Sequence, residues 1–288
     1  MRSSRSILSL MAVAVLFTGA GVLNAAATGA NNAPAAALPA SSHTVFITAH
    51  DYSFTGLPAR LPAGWVNIRM INAGRELHML ATFSVPHGYT VTTLLDSLLH
   101  GHFSPNVQEW GGPNAVAPGD TGVVSLFLPA GQYVVGCFVK SADGKTHFMK
   151  GMMGSFEVVG APGAASPLSD EDTVTLSTYR IAMSGVTLRP GIRTFLVRNV
   201  AKEPHDAVIL KVLPGHSVED ALRWFANVAV GTPAAIPVGG TTALHSGEHN
   251  FVNARLTPGT YVLVCWLTTN NKFHFDLGMK QVFTVPTA

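Results

Sequence analysis

The chain repeats itself, and that constrains its fold more than any other feature. Gly64, Asn72 and His78 in PAGWVNIRMINAGRELH return at one constant offset as Gly191, Asn199 and His205 in RPGIRTFLVRNVAKEPH. Tyr133 and Cys137 in GQYVVGC return as Tyr261 and Cys265 in GTYVLVC with the offset longer by a single position, and the first offset is restored for His147 to His274 and Met152 to Met279. One residue enters and one leaves, and the register otherwise holds. A fixed period of this kind means one structural unit built twice. The units span residues 43–159 and 171–288, and between them GAPGAASPLSD, residues 160–170, is a Gly, Pro and Ala linker.

Each unit reads mainly as strands. VNIRMIN, VVSLFL and QYVVGCFV in the first copy, and TFLVRN, FVNARL and TYVLVCWL in the second, are short, β-branched or aromatic, and bounded by Pro and Gly. Val124, Leu126 and Leu128 alternate, as do Val252, Ala254 and Leu256, so one face is buried, as in a sandwich. One helix interrupts the strands of each copy. Val91, Leu94, Leu95, Leu98 and Leu99 follow helical spacing, with Thr90 as N-cap and Gly101 as stop; Val218, Ala221, Leu222, Phe225 and Ala226 repeat it behind a Ser217–Asp220 capping box.

The ends and the charge narrow the classes. Arg2 and Arg5, the apolar run Ile7 to Leu23, and Ala25 to Ala27 read as an export signal over residues 1–27, followed by a low-complexity linker over 28–42. The expected location is therefore the periplasm or the exterior, with no membrane span in the mature chain. Without Arg2 and Arg5 the 18 basic residues fall to 16, equal to the 16 acidic ones, which leaves no electrostatic footprint for nucleic acid. Two cysteines exclude a disulfide-framework fold and leave one disulfide, two free thiols or two thiolate ligands.

The late part of each unit carries a pattern that packing does not require. CFVKSADGKTHFMKGM places Cys137, His147 and Met152 in one loop, and CWLTTNNKFHFDLGM places Cys265, His274 and Met279 likewise. Far upstream of each loop, His78 and His205 each sit just past a strand ending in Asn. One distant His with a Cys, His and Met from one loop is the donor set of a blue-copper centre. A thiolate and two imidazoles with a long axial thioether accept both Cu(I) and Cu(II).

On the upstream His, the G-x-Y-x3-Cys strand and the His-x4-Met ending, the chain resembles the cupredoxin family across both units. The Cys-to-His loop is similar to that of the type 1 copper domain of copper nitrite reductases. The resemblance implies an all-β chain of two Greek-key β-sandwich domains, each with a short helical insertion. It implies type 1 copper, up to one per domain, held by His78, Cys137, His147 and Met152 and by His205, Cys265, His274 and Met279, with single-electron transfer to a redox partner protein the sequence does not name. Those enzymes build a catalytic copper site from a His before the Cys and from a second His five residues after the upstream one. Here Gly136, Val264 and Phe83 stand at such positions. The expectation is a chain that is not an enzyme.

Blunter readings stay open. Any of the eight residues alone suits a core, and the alternative function is a metal-free or Cu(I)-sequestering binding module. A Cys137–Cys265 disulfide would need two equivalent inner positions of separate units to lie within about 7 Å. His100 with His102, and His245 with His249, read as loop histidines rather than a surface metal site. Trp65, Trp110 and Trp266 read as packing aromatics. His147 and His274, on a loop at the surface end of the sandwich, read as the exits for the electron.

Overall fold

The computed structural model describes residues 43–163 apart from 103 and 105, then 172–184, 188–226 and 233–287. The export signal, the linker over 28–42, most of the 160–170 linker and residues 171 and 288 lie outside the described residues.

The fold is a β-sandwich, and two large sheets make it. The first has eight strands in the order Arg180–Ser184, Asp172–Ser177, Gly191–Asn199, His249–Leu256, Thr121–Leu128, Gly64–Asn72, His43–His50 and Ser53–Thr55. The second has nine, in the order Lys280–Val285, Gly259–Val264, His205–Val212, Ala235–Leu244, Glu109–Gly111, Ala81–Ser84, Gly131–Gly136, Met153–Val159 and Arg60–Pro62. Both sheets therefore run through both repeats. Alternation explains the facing: Val124, Leu126 and Leu128, with Val252, Ala254 and Leu256, are all buried between the sheets. A fully buried Leu or Val contributes roughly 1.5–3 kcal/mol, so these six positions alone anchor the shared core.

The seam between the repeats is a pseudo-two-fold. Val124 pairs with Val252, and Pro113 with Thr241, and the two partners of each pair occupy equivalent positions of the two repeats. Each residue thus meets its own counterpart, the rule of a self-complementary dimer contact. Trp65 packs across the seam, its ring 5.2 Å from that of Phe251 and 5.5 Å from that of His249.

Both helices form where the period and caps place them. The first, Val91–Leu99, is capped by Thr90 in a reciprocal box with Thr93 and buries Leu94 and Leu98. The second, Val218–Ala226, is opened by Ser217, whose N–H donates to Asp220 while the Asp220 N–H donates to Ser217 Oγ.

Two polar devices repeat and point toward one end of the sandwich. Tyr133 and Tyr261, four residues before each Cys, donate from their hydroxyls to the carbonyls of Pro129 and Thr257, both at 2.8 Å. Asn72 donates to the carbonyls of Glu76 and Val116, and Asn199 to those of Glu203 and Leu244. The tyrosine fixes the strand that delivers the Cys, and the asparagine fixes the turn that delivers the first His.

Candidate metal centres

In the first repeat His78, Cys137 and His147 come together from three places in the chain, all fully buried. The two Nδ1 atoms lie 3.1 Å apart, and Cys137 Sγ lies 3.8 Å from that of His78 and 3.4 Å from that of His147. The second repeat builds the same triangle from His205, Cys265 and His274, with 3.1 Å between Nδ1 atoms and 3.6 and 3.3 Å to Sγ. Cys137 and Cys265 are free thiols, each inside its own group, so the disulfide reading falls.

The methionines are held by their backbones. Cys137 N–H donates to the Met152 carbonyl at 3.1 Å and Met152 N–H to the His147 carbonyl at 2.9 Å; Cys265, Met279 and His274 repeat both bonds at the same distances. Both methionine side chains are fully buried. Each is therefore clamped between the Cys and the loop His of its own group.

The outer nitrogens determine what the inner ones can do. His147 Nε2 lies 2.8 Å from Glu76 Oε2 and His78 Nε2 lies 3.3 Å from Asp51 Oδ1. A carboxylate there accepts a hydrogen bond from Nε2–H, which keeps the proton on Nε2 and leaves Nδ1 a bare lone pair. Two lone pairs then face each other at 3.1 Å beside a sulfur, an arrangement that repels itself unless a proton or cation sits among them. Each sulfur also accepts two backbone N–H groups, from Met79 and Val139 at Cys137 and from Asp206 and Leu267 at Cys265. Soft sulfur, two imidazoles and a buried thioether fit type 1 copper.

Burial sets the metal-free protonation. The Cys137 thiol is pushed up to about 12, and that of Cys265 is also raised, mainly by loss of water. His78 falls to about 4 through burial and the neighbouring His147, and His205 falls to about 4 through burial and His274. Burial likewise lowers His147 and His274, against the pull of Glu76 and Glu203. The metal-free groups are thus two neutral imidazoles and a thiol, and a metal entering must displace the thiol proton.

The two groups differ in their supports. In the first, Gly74 stands where a Cβ would collide with Asp51 Oδ1 and His78 Nε2. The second repeat has Thr178 and Ala201 at the positions of Asp51 and Gly74, and His205 Nε2 instead has Glu203 Oε1 at 3.5 Å. His274 Nε2 lies 2.8 Å from Thr269 Oγ1. Gly74→Ala should therefore push Asp51 off His78 and weaken copper binding at the first group roughly 10- to 100-fold, the usual effect of losing such an outer partner. Adding Asp51→Thr, which rebuilds the second repeat's pair, should recover part of it. Competition against a chelator measures both, and an unchanged affinity in Gly74→Ala refutes the account.

Several functional neighbours have no motif in the sequence: Asp51, Tyr52, Glu76, Tyr179, Glu203 and Thr269. One signal was available, since Tyr52 and Tyr179, and Glu76 and Glu203, are identical residues at the offset that relates His78 to His205. The loop histidines are not at the surface as expected. His147 is 0% and His274 3% exposed, because the rings of Tyr52 and Tyr179 lie over them. Among the described residues no other three or more His, Cys, Asp or Glu converge, so the 100/102 and 245/249 pairs form no such cluster. Trp266, beside Cys265, packs on Phe225, Phe273 and Phe275.

No family model and no curated protein matches the chain. Solved structures do. A multicopper oxidase is 15% identical over 85% of this chain and 89% of its own, with a TM-score of 0.27. A copper nitrite reductase from Nitrosomonas europaea is 13% identical over 85% and 94%, with a TM-score of 0.25. Auracyanin A, a blue copper protein from Chloroflexus aurantiacus, is 17% identical over 41% and 99%, with a TM-score of 0.30. One expectation is corrected: the chain was expected not to be an enzyme, yet an oxidase and a reductase stand among the matching structures, so that exclusion is withdrawn. No helix among the described residues is long and apolar enough to cross a membrane.

Proposed function

We propose that the chain is an exported copper protein that passes single electrons, made of two cupredoxin-like units over residues 43–159 and 171–288. In this reading His78, Cys137, His147 and Met152 hold one copper, and His205, Cys265, His274 and Met279 the other. The observation that carries it is the triangle of two imidazole Nδ1 atoms and a sulfur, 3.1 to 3.8 Å on a side, built twice. Copper bound there would supply a one-electron couple.

The chain's own residues do the rest. Asp51 and Glu76 hold the outer protons of His78 and His147, which aims both lone pairs inward. Two N–H groups on each sulfur favour its thiolate form. Strand ends joined to one hydrogen-bonded sheet fix the donors in place, so little need move when the charge at the centre changes. Complete burial keeps water from the donors.

Loading the full chain with Cu(II) tests the reading. An intense visible thiolate-to-copper absorption is expected, with Cys137→Ser and Cys265→Ser each removing one share and the double variant all of it. A colourless protein that holds no copper refutes it, and one that holds only Cu(I) makes sequestration the function instead.

A further inference from the structure

The burial of both loop histidines comes from a strained residue. Tyr52 lies edge-on to the His147 ring, centroids 5.2 Å apart at 74°, and Tyr179 lies on His274 at 5.1 Å and 77°. The two tyrosines occupy one position of the repeat, at the same offset as His78 and His205. Each is the second residue of a tight turn between paired strands, His50 facing Ser53 and Ser177 facing Arg180. Both have left-handed backbones, with φ of 71° and 51°.

Such a position favours Gly or Asn. A bulky side chain there crowds its own carbonyl, so the turn is strained. Asn270 and Asn271 show the unstrained solution in the same chain, also at positive φ. The repeats differ around the tyrosine, Asp51 against Thr178 before it and Ser53 against Arg180 after it, yet both keep the ring and the strain. In the first repeat the Tyr52 hydroxyl donates to Glu76 Oε1 at 2.9 Å, and Lys150 Nζ stands 4.3 Å over the ring. In the second repeat Leu277 stands where Lys150 does in the first, so no cation covers Tyr179 from that position. The ring over the histidine is the feature the two repeats share.

We infer that Tyr52 and Tyr179 are the access-determining residues of the two metal centres: each ring closes the path from solvent to its loop histidine, and metal ions and chelators pass only when the turn swings away. Each turn leads into or out of an outermost strand of its sheet, Ser53–Thr55 or Arg180–Ser184, and release of the left-handed strain lowers the cost of opening. A closure held by ring contacts against backbone strain is shut without being locked. The metal-ion part rests on the copper reading; the closure itself does not.

The test uses the full chain. Tyr52→Gly keeps the left-handed turn and removes the ring, whereas Tyr52→Phe keeps the ring and loses the hydroxyl. Metal-free protein is treated with diethyl pyrocarbonate, which acylates accessible neutral imidazole, and sites are read by peptide mass, with exposed His50 and His87 as internal references. His147 should react roughly tenfold faster or more in Tyr52→Gly than in the parent or Tyr52→Phe, as expected when a buried group loses its cover, and His274 should not change. Tyr179→Gly should reverse the pattern. Resistance of His147 in Tyr52→Gly overturns the inference, and so does equal exposure of His147 and His274, which would mark a general loosening. In the copper-loaded chain, EDTA should strip the first centre at least about tenfold faster from Tyr52→Gly; an unchanged rate overturns the metal-access part. If no variant takes up copper, the copper reading fails while the acylation result still decides the closure.

Discussion

Replacing Glu109 by Gln is expected to stabilise the chain above about pH 8 by on the order of 5 kcal/mol and to remove most of the pH dependence below it. Glu109 opens the strand Glu109–Gly111 at the seam, where Trp110 pairs with Leu244 of the other repeat. Its carboxyl is pushed up to about 8, first by burial and then by the charge of Asp206. An acid whose pKa is raised in the fold keeps its proton there while the unfolded chain loses it. That contribution is fully present below the unfolded value of 4.5 and is lost as pH rises to about 8, beyond which it stays lost. Asp206, raised to about 6 by burial against the N–H of Trp266, adds a smaller slope of the same sign. Urea midpoints of the metal-free protein at about pH 5, 7 and 9 should fall steadily for the parent and much less for Glu109→Gln. Parallel curves would show that Glu109 is ionised in the fold.

What was legible in the sequence was what depends on local spacing or on the repeat. Both helices begin and end where the apolar period and the Thr90 and Ser217 caps place them, because those signals act within one turn. His78, Cys137 and His147 were legible as a group because donor types recurred in order at one offset, which packing has no reason to preserve twice. The supports were not. Asp51, Glu76 and Tyr52 act on histidines far along the chain, through turns whose facing no spacing rule gives. Period two says that Val124 and Val252 face the core; it does not say that the two strands lie edge to edge, so the continuity of the sheets across the repeats was invisible. The supposed exposure of His147 failed for the same reason, since its cover is a tyrosine in a conformation that propensity argues against.

Asn72→Ala should cost roughly 3–5 kcal/mol and impair the first metal centre selectively. The Asn72 side chain is fully buried and makes three bonds, donating at 2.8 Å to the carbonyls of Glu76 and Val116 and accepting from Gly74 N–H at 2.8 Å. Truncation strands the Glu76 carbonyl and the Gly74 N–H, each worth about 1–3 kcal/mol when unpaired, and takes from the Val116 carbonyl one of its two donors. The same bonds close the turn that carries Glu76 and leads into His78, whose own backbone pairs with Val116 in both directions. Freed, that turn lets Glu76 leave His147 and lets the His78 ring rotate, so the centre loses both its outer support and its aim. Asn199→Ala should do the same to the second centre, since Asn199 bonds Glu203, Leu244 and Ala201 in the same way. The check is a pair of measurements on each variant, a urea midpoint without metal and a Cu(II) titration. Each variant should lose one of the two copper equivalents and keep the other. Equal loss at both centres would show that the asparagine serves the shared fold and not the ligand turn beneath which it sits.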